Sequence, residues 1–240
     1  MKCFVSCLIV GLTLLFSITG CASTPILGET AVLRGMVYNE NRMPVLDVSV
    51  DLVSQGKIVE STLTDLHGRY FLSGVPYGKV SLLFTKPSYE PFTWTFSFVR
   101  PTQIVYIQMS NFEEILDDFS NAIQKREWLH AKSYFLRLQK LRPDNSVSLY
   151  LESIMLTRQG EPRKAVEILE KMSKNKEPIF AVELTLADLY QYKLSNPGMA
   201  LFHLEKALRV QDDVDIKSRI KALETQIGES SKEKPRQSKS

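Results

Sequence analysis

The chain is poor in cysteine and histidine. Its three cysteines, Cys3, Cys7 and Cys21, fall at the amino-terminal end of a 240-residue sequence, so the body holds no thiol for a disulfide, a zinc cluster or a cysteine nucleophile. The three histidines, His67, His130 and His203, lack the His-Glu-x-x-His spacing of a zinc-peptidase helix, and neither a metal nor a cofactor is expected. Glycine and proline number 11 each, too few for a collagen-like or low-complexity chain. A charge surplus is missing from the body as well. Residues 22–110 carry 7 basic and 7 acidic side chains and residues 111–227 carry 18 of each, so the formal +3 comes from Lys2 and the tail from Gly228 onward. That placement gives no basic folded face, and no nucleic-acid partner is expected.

What is present at the amino terminus is a positive residue, Lys2, followed by an apolar stretch from Cys3 to Ile18. This length suits the core of an export signal and is short for a membrane span. Ile18-Thr19-Gly20-Cys21 follows and resembles the lipobox of bacterial lipoproteins. The resemblance implies a signal peptide over 1–20, cleavage between Gly20 and Cys21, and palmitate-type acyl chains on Cys21 with membrane lipid as partner. Two or three such chains hold a protein stably on a bilayer, whereas one anchors only marginally. Residues 21–29 then form a tether, and Ala22 beside the cysteine implies, by the same analogy, the outer membrane of a bacterial envelope. Read without the motif, the same stretch is an uncleaved signal anchor.

Residues 30–110 show short runs of Val, Ile, Phe, Tyr and Thr separated by Gly, Pro, Asn and Asp at spacings near ten residues, which predicts an all-β sandwich of about seven strands. The strands are expected near 31–38, 46–53, 57–63, 69–73, 79–85, 92–98 and 102–109. In Phe92-Thr93-Trp94-Thr95-Phe96-Ser97-Phe98 the aromatics share one face and the hydroxyls the other, because strand side chains alternate. The punctuation includes Thr64-Asp65-Leu66-His67-Gly68-Arg69-Tyr70 and Val75-Pro76-Tyr77-Gly78. In this order it resembles the carboxypeptidase regulatory-like domain, a transthyretin-type sandwich with a T-D-x-x-G-x-[FY] turn and then a V-P-x-G turn. Thr64, Asp65, Gly68, Tyr70, Pro76 and Gly78 are therefore read as structural turn residues. Asp47 stands where relatives carry Gly or Asn. The resemblance implies an accessory module without chemistry of its own. Tyr77, Tyr89, Phe92 and Trp94 are candidates for glycan or wall-polymer contact, with Tyr89 the better surface candidate.

After Ser110 the apolar period changes from two to near 3.6. Ala131-x3-Phe135 followed by Pro143, then Ala165-x3-Leu169 34 residues on, then Ala200-x3-Leu204 after 35 more, is similar to the tetratricopeptide repeat. The small residue lets paired helices approach closely, and the large one fills the adjacent space. Units are expected over 112–145, 146–179 and 180–214, with one extra turn residue in the third, a capping helix near 215–227 and a disordered basic tail over 228–240. The resemblance implies an all-α array over 111–227 whose first helices line a groove for a peptide or protein partner. Repeat position nominates Tyr150, Ile154, Thr157, Arg158, Leu184, Asp188 and Gln191 for that groove. No catalytic residue emerges. The leading expectation is a non-enzymatic envelope lipoprotein presenting an interaction scaffold; the alternative is a glycan-binding module using the sandwich.

Overall fold

The computed structural model describes residues 29–174 and 178–233, with side chains to Glu229. Gly20, Cys21, the tether before Glu29 and the chain after Glu233 lie outside the described residues.

Among the described residues seven strands form two sheets. They are β1 (Thr30–Tyr38), β2 (Ser49–Ser54), β3 (Lys57–Leu63), β4 (Arg69–Pro76), β5 (Gly78–Thr85), β6 (Phe92–Phe98) and β7 (Ile104–Gln108). One sheet has the order β4-β1-β7 and the other β3-β2-β5-β6. All pairings are antiparallel except β1 with β7. Alternation drives the fold: Leu33 and Val37 of β1, Leu72 of β4, Leu82 and Phe84 of β5 and Val105 of β7 point between the sheets and are fully buried, which is the main favourable term in folding.

The signature turn is built as its residue types require. Asp65 Oδ1 accepts from the backbone N–H of His67 at 2.8 Å and of Arg69 at 2.9 Å, an Asx turn. The bonds from Arg69 and the adjacent backbone hold the Asp65 carboxyl down at about 2. Gly68 has φ +71, and a Cβ there would lie 2.4 Å from Val37 O, so glycine is required twice over. Buried Thr64 donates to Val45 O at 2.6 Å and accepts from Val48 N–H at 2.9 Å. Tyr70 is buried between the sheets, and burial raises its phenol pKa. Pro76 closes β4 opposite Thr30, and Gly78, at φ +108, opens β5 opposite Phe98.

Two differences from the sequence expectation occur here. β2 begins at Ser49 rather than near residue 46, because Asp47 takes φ +54, the left-handed conformation that Gly and Asn enter most easily. Tyr89 is not a free surface ring: it is half-buried against the sandwich core and its backbone bridges to Asn111.

Among the described residues seven α-helices follow: α1 (Phe112–Lys125), α2 (Trp128–Leu141), α3 (Ser146–Arg158), α4 (Pro162–Ser173), α5 (Phe180–Asp188), α6 (Pro197–Val210) and α7 (Val214–Glu233). Asn111 starts α1 with a reciprocal capping box to Glu114, satisfying two otherwise orphan donors. Ala131, Ala165 and Ala200 are completely buried, as close helix pairing demands. The extra residue of the third unit is not in its turn. It is absorbed by a π-type turn over Leu189–Lys193 that prolongs α5, where Leu194 N–H bonds Leu189 O at 3.0 Å. The final helix also runs on to Glu233, past Gly228, where the sequence predicts a disordered tail to begin.

Sandwich and helices meet at one end of the strands. Phe112 N–H bonds Ser88 O at 2.8 Å, and Arg137 of α2 donates two bonds to Glu90 Oε2 at 2.7 and 2.9 Å. Arg142 stacks over Phe112 at 4.2 Å and reaches Ser88 Oγ at 2.9 Å.

Candidate interaction surface of the helical array

The seven groove candidates separate once side chains are placed. The Tyr150 hydroxyl on α3 pairs with Thr185 Oγ1 on α5 at 3.0 Å. Thr157 donates back to Ser153 O at 2.8 Å, and Arg158 donates to Ile123 O at the end of α1 at 3.3 Å. Ile154 packs against the core of the first unit and Leu184 against that of the third. Asp188 and Gln191 meet at one cation, Arg219 of α7, at 2.8 and 2.7 Å. They therefore hold the last helix in place rather than presenting two free polar groups.

Of the seven, Tyr150 borders an open concavity. A hollow of about 260 Å³ is lined by residues including Ser146, Val147, Tyr150, Met172, Ile179 and Val182. Val147 is 51% exposed and Ile179 39%, so an apolar rim faces water. A second hollow of about 490 Å³, lined by Asp144, Leu149, Glu152, Ile168 and Lys171, shares Ser146 and Met172 with the first. Partial burial raises the Glu152 pKa. The smaller hollow is almost wholly apolar, and the larger one mixes Leu149, Ile168 and Met172 with the charged Asp144, Glu152 and Lys171.

The sequence reading missed a buried polar cluster that ties α4, α5 and α6 together. Glu183 is fully buried; its Oε2 lies 2.7 Å from His203 Nδ1 and its Oε1 2.8 Å from Lys206 Nζ, and Ser173 donates to it at 2.6 Å. Burial alone would raise the Glu183 pKa, but the bonds from Lys206, Ser173 and His203 outweigh it and lower it. Tyr190 stacks on the His203 ring at 5.6 Å and donates to Glu170; burial and that bond push its phenol up to about 12. Ser173 bonds the carboxylate and Lys206, not the imidazole, so the group does not have the geometry of a serine nucleophile with its base. Spacing gave no signal for it, since Glu183 and His203 stand on different helices, far apart in sequence.

On the sandwich, Tyr77, Tyr89 and Trp94 pack against the core, while Phe92 is exposed at the β6 edge. Among the described residues no group of three or more His, Cys, Asp or Glu could hold a metal ion, and no helix is long and apolar enough to cross a membrane.

No family model matches the chain, and no curated protein does. Among solved structures, the tetratricopeptide domain of P58(IPK) is similar to 51% of this chain at 20% identity and TM-score 0.43, and the chain covers 34% of it. The 5-hydroxyisourate hydrolase of Klebsiella pneumoniae is similar to 34% of the chain at 13% identity and TM-score 0.28, with 90% of that protein covered. A cohesin–X-dockerin complex of Acetivibrio cellulolyticus is similar to 36% at 15% identity and TM-score 0.30, with 70% of that chain covered. The fold class rests on the elements themselves: a seven-stranded two-sheet sandwich followed by an array of paired helices.

Proposed function

We propose that the protein is a non-enzymatic bacterial envelope lipoprotein, tethered through acylated Cys21, whose helical array is a scaffold for a protein or peptide partner. The observation that carries the scaffold reading is the apolar hollow beside Tyr150, with Val147 and Ile179 open to solvent at its rim. Exposed apolar groups around a concavity on a repeat array are what a partner's buried anchor residue requires. The support for the anchor is the Ile18-Thr19-Gly20-Cys21 motif at the end of the apolar stretch that begins at Cys3.

Capture from detergent-solubilised envelopes tests the scaffold. The full chain enriches a defined protein, and Val147→Asp, which places a charge on the rim, abolishes the enrichment without changing the thermal transition. Equal enrichment by Val147→Asp contradicts the reading. Cys21→Ser tests the anchor: the chain leaves the membrane fraction and no fatty-acid label enters it. The glycan alternative has less support, because three of its four aromatic candidates are engaged in the sandwich core.

A further inference from the structure

The strand registers bring the β2–β3 hairpin, the β4–β5 turn and the β6–β7 loop to one end of the sandwich. Thr30 faces Pro76, Gly78 faces Phe98, and Ser54 faces Lys57. The helices sit at the other end, where Tyr38 O accepts from Met109 N–H and Ser110 donates to Glu40. The neutral charge of the domain is divided along this axis. Lys57, Lys79 and Arg100 are exposed at the end remote from the helices, with Glu29 as the acidic residue among the strand ends there. At the helical end Glu40, Asp47, Asp65 and Glu90 outnumber Arg42, Arg69 and Lys86. Two apolar residues that neighbour these cations in sequence are also exposed at this end, Ile58 at 58% and Val99 at 57%. The chain before Glu29 joins the fold at this same end. From Cys21 to Thr30 the chain spans at most about 30 Å when extended.

We propose that this remote end, with Lys57 and Ile58 at one edge of the four-stranded sheet, Val99 and Arg100 at the other and Lys79 on β5 between them, docks on an anionic phospholipid bilayer. The proposal rests on the lipid-anchor reading for the tether that delivers it. Charge complementarity with anionic headgroups and shallow entry of the two apolar side chains supply the contact. Docking this end down places the helical array, and the hollow beside Tyr150, on the side away from the bilayer.

The test uses the full chain, expressed and extracted from envelopes. In the processed, acylated form the Cys21 sulfur is a thioether and no cysteine follows it, so one introduced cysteine is the single free thiol for labelling. Thr102→Cys in the β6–β7 loop and Leu66→Cys at the opposite end each receive an environment-sensitive fluorophore. The proteins are reconstituted into vesicles of phosphatidylcholine with or without phosphatidylglycerol. The expected result is quenching of the label at 102 by spin-labelled lipid in the anionic vesicles, lost at high salt and in the combined Lys57→Glu, Lys79→Glu and Arg100→Glu variant, while the label at 66 remains quenched only by aqueous iodide. If the chain floats with both vesicle types yet the labels at 102 and 66 are equally open to iodide, the docking proposal is overturned and the anchor stands. Lipid contact at 102 that ignores lipid charge overturns it as well. A chain that floats with neither vesicle refutes the anchor and the docking together, whereas lipid contact at 102 without fatty-acid label on Cys21 refutes the anchor alone. The comparison of 102 with 66 in the unsubstituted chain decides the matter even where the triple variant fails to fold.

Discussion

Arg219 Nη2 lies 2.8 Å from Asp188 Oδ1, joining the last helix to the end of α5 across 31 residues of sequence. The same nitrogen reaches Gln191 Oε1 at 2.7 Å, and the guanidinium stands 5.6 Å from the Tyr192 ring. One side chain thus fixes the cap of the array to the helix it covers. Arg219→Ala is expected to cost about 1 kcal/mol, the range for a partly exposed pair. It should also raise amide exchange over residues 214–227. Unchanged protection there would show that the apolar contacts of α7, Ile216, Ile220 and Leu223 among them, hold it without Arg219.

The junction between sandwich and helices makes a second prediction. Glu90 and Arg137 are each largely shielded from water, at 29% and 28% exposure, and their two bonds raise the guanidinium pKa further above its usual value. Glu90→Gln should cost about 1–2 kcal/mol and admit proteolysis near residues 109–111. The native chain should unfold in one transition in urea, and the variant in two. A single unaltered transition in the variant would mean that the Phe112–Ser88 and Arg142 contacts suffice.

Gly68 and Gly74 both have positive φ, +71 and +67, but only Gly68 faces a neighbouring backbone atom, Val37 O at 2.4 Å from an added Cβ; Gly74 meets nothing within 4 Å. Gly74→Ala should therefore cost about 1 kcal/mol for the left-handed conformation alone. Gly68→Ala adds a clash and should cost about 3 kcal/mol or more. Denaturant midpoints of the two variants give the comparison directly, and equal losses would contradict the turn geometry.

The Glu183 cluster makes stability depend on acid. A carboxyl whose pKa is lowered on folding contributes fully above its unfolded value near 4.5 and loses that contribution as pH falls through the lower folded value. Urea midpoints of the native chain should fall more steeply with acid below pH 4.5 than those of Glu183→Gln. At pH 7 the substitution leaves Lys206 and His203 without their anion and should cost about 3 kcal/mol, as for breaking a buried pair. Parallel pH profiles would place the acid sensitivity elsewhere.

How far the sequence revealed this molecule depends on the range of the interaction. Strand alternation and turn chemistry are local, and each of the seven described strands overlaps the run that predicts it, β3 and β6 with the same bounds. The small residues at 131, 165 and 200 likewise carry their own reason for burial. The start of β2 was missed because a single left-handed residue, Asp47, delays it, and alternation says nothing of φ. The π-type turn was missed because a one-residue insertion has the same length whether it swells a helix or a turn. Gly228 lies inside α7 although glycine costs about 1 kcal/mol there, a local penalty that does not end a helix of 20 residues. The groove candidates came from repeat position, which knows nothing of Arg219 reaching Asp188 and Gln191, and the Glu183–His203 pair is a contact between distant helices that no periodicity encodes.

The most direct measurement of the central claim is site-specific photo-crosslinking in intact cells, with the reactive residue placed at Val147 on the rim of the Tyr150 hollow or at Leu129, 87% exposed on α2. The account predicts a discrete protein adduct from position 147 in the membrane fraction and none from 129; no adduct at 147, or the same adducts at both positions, would contradict it.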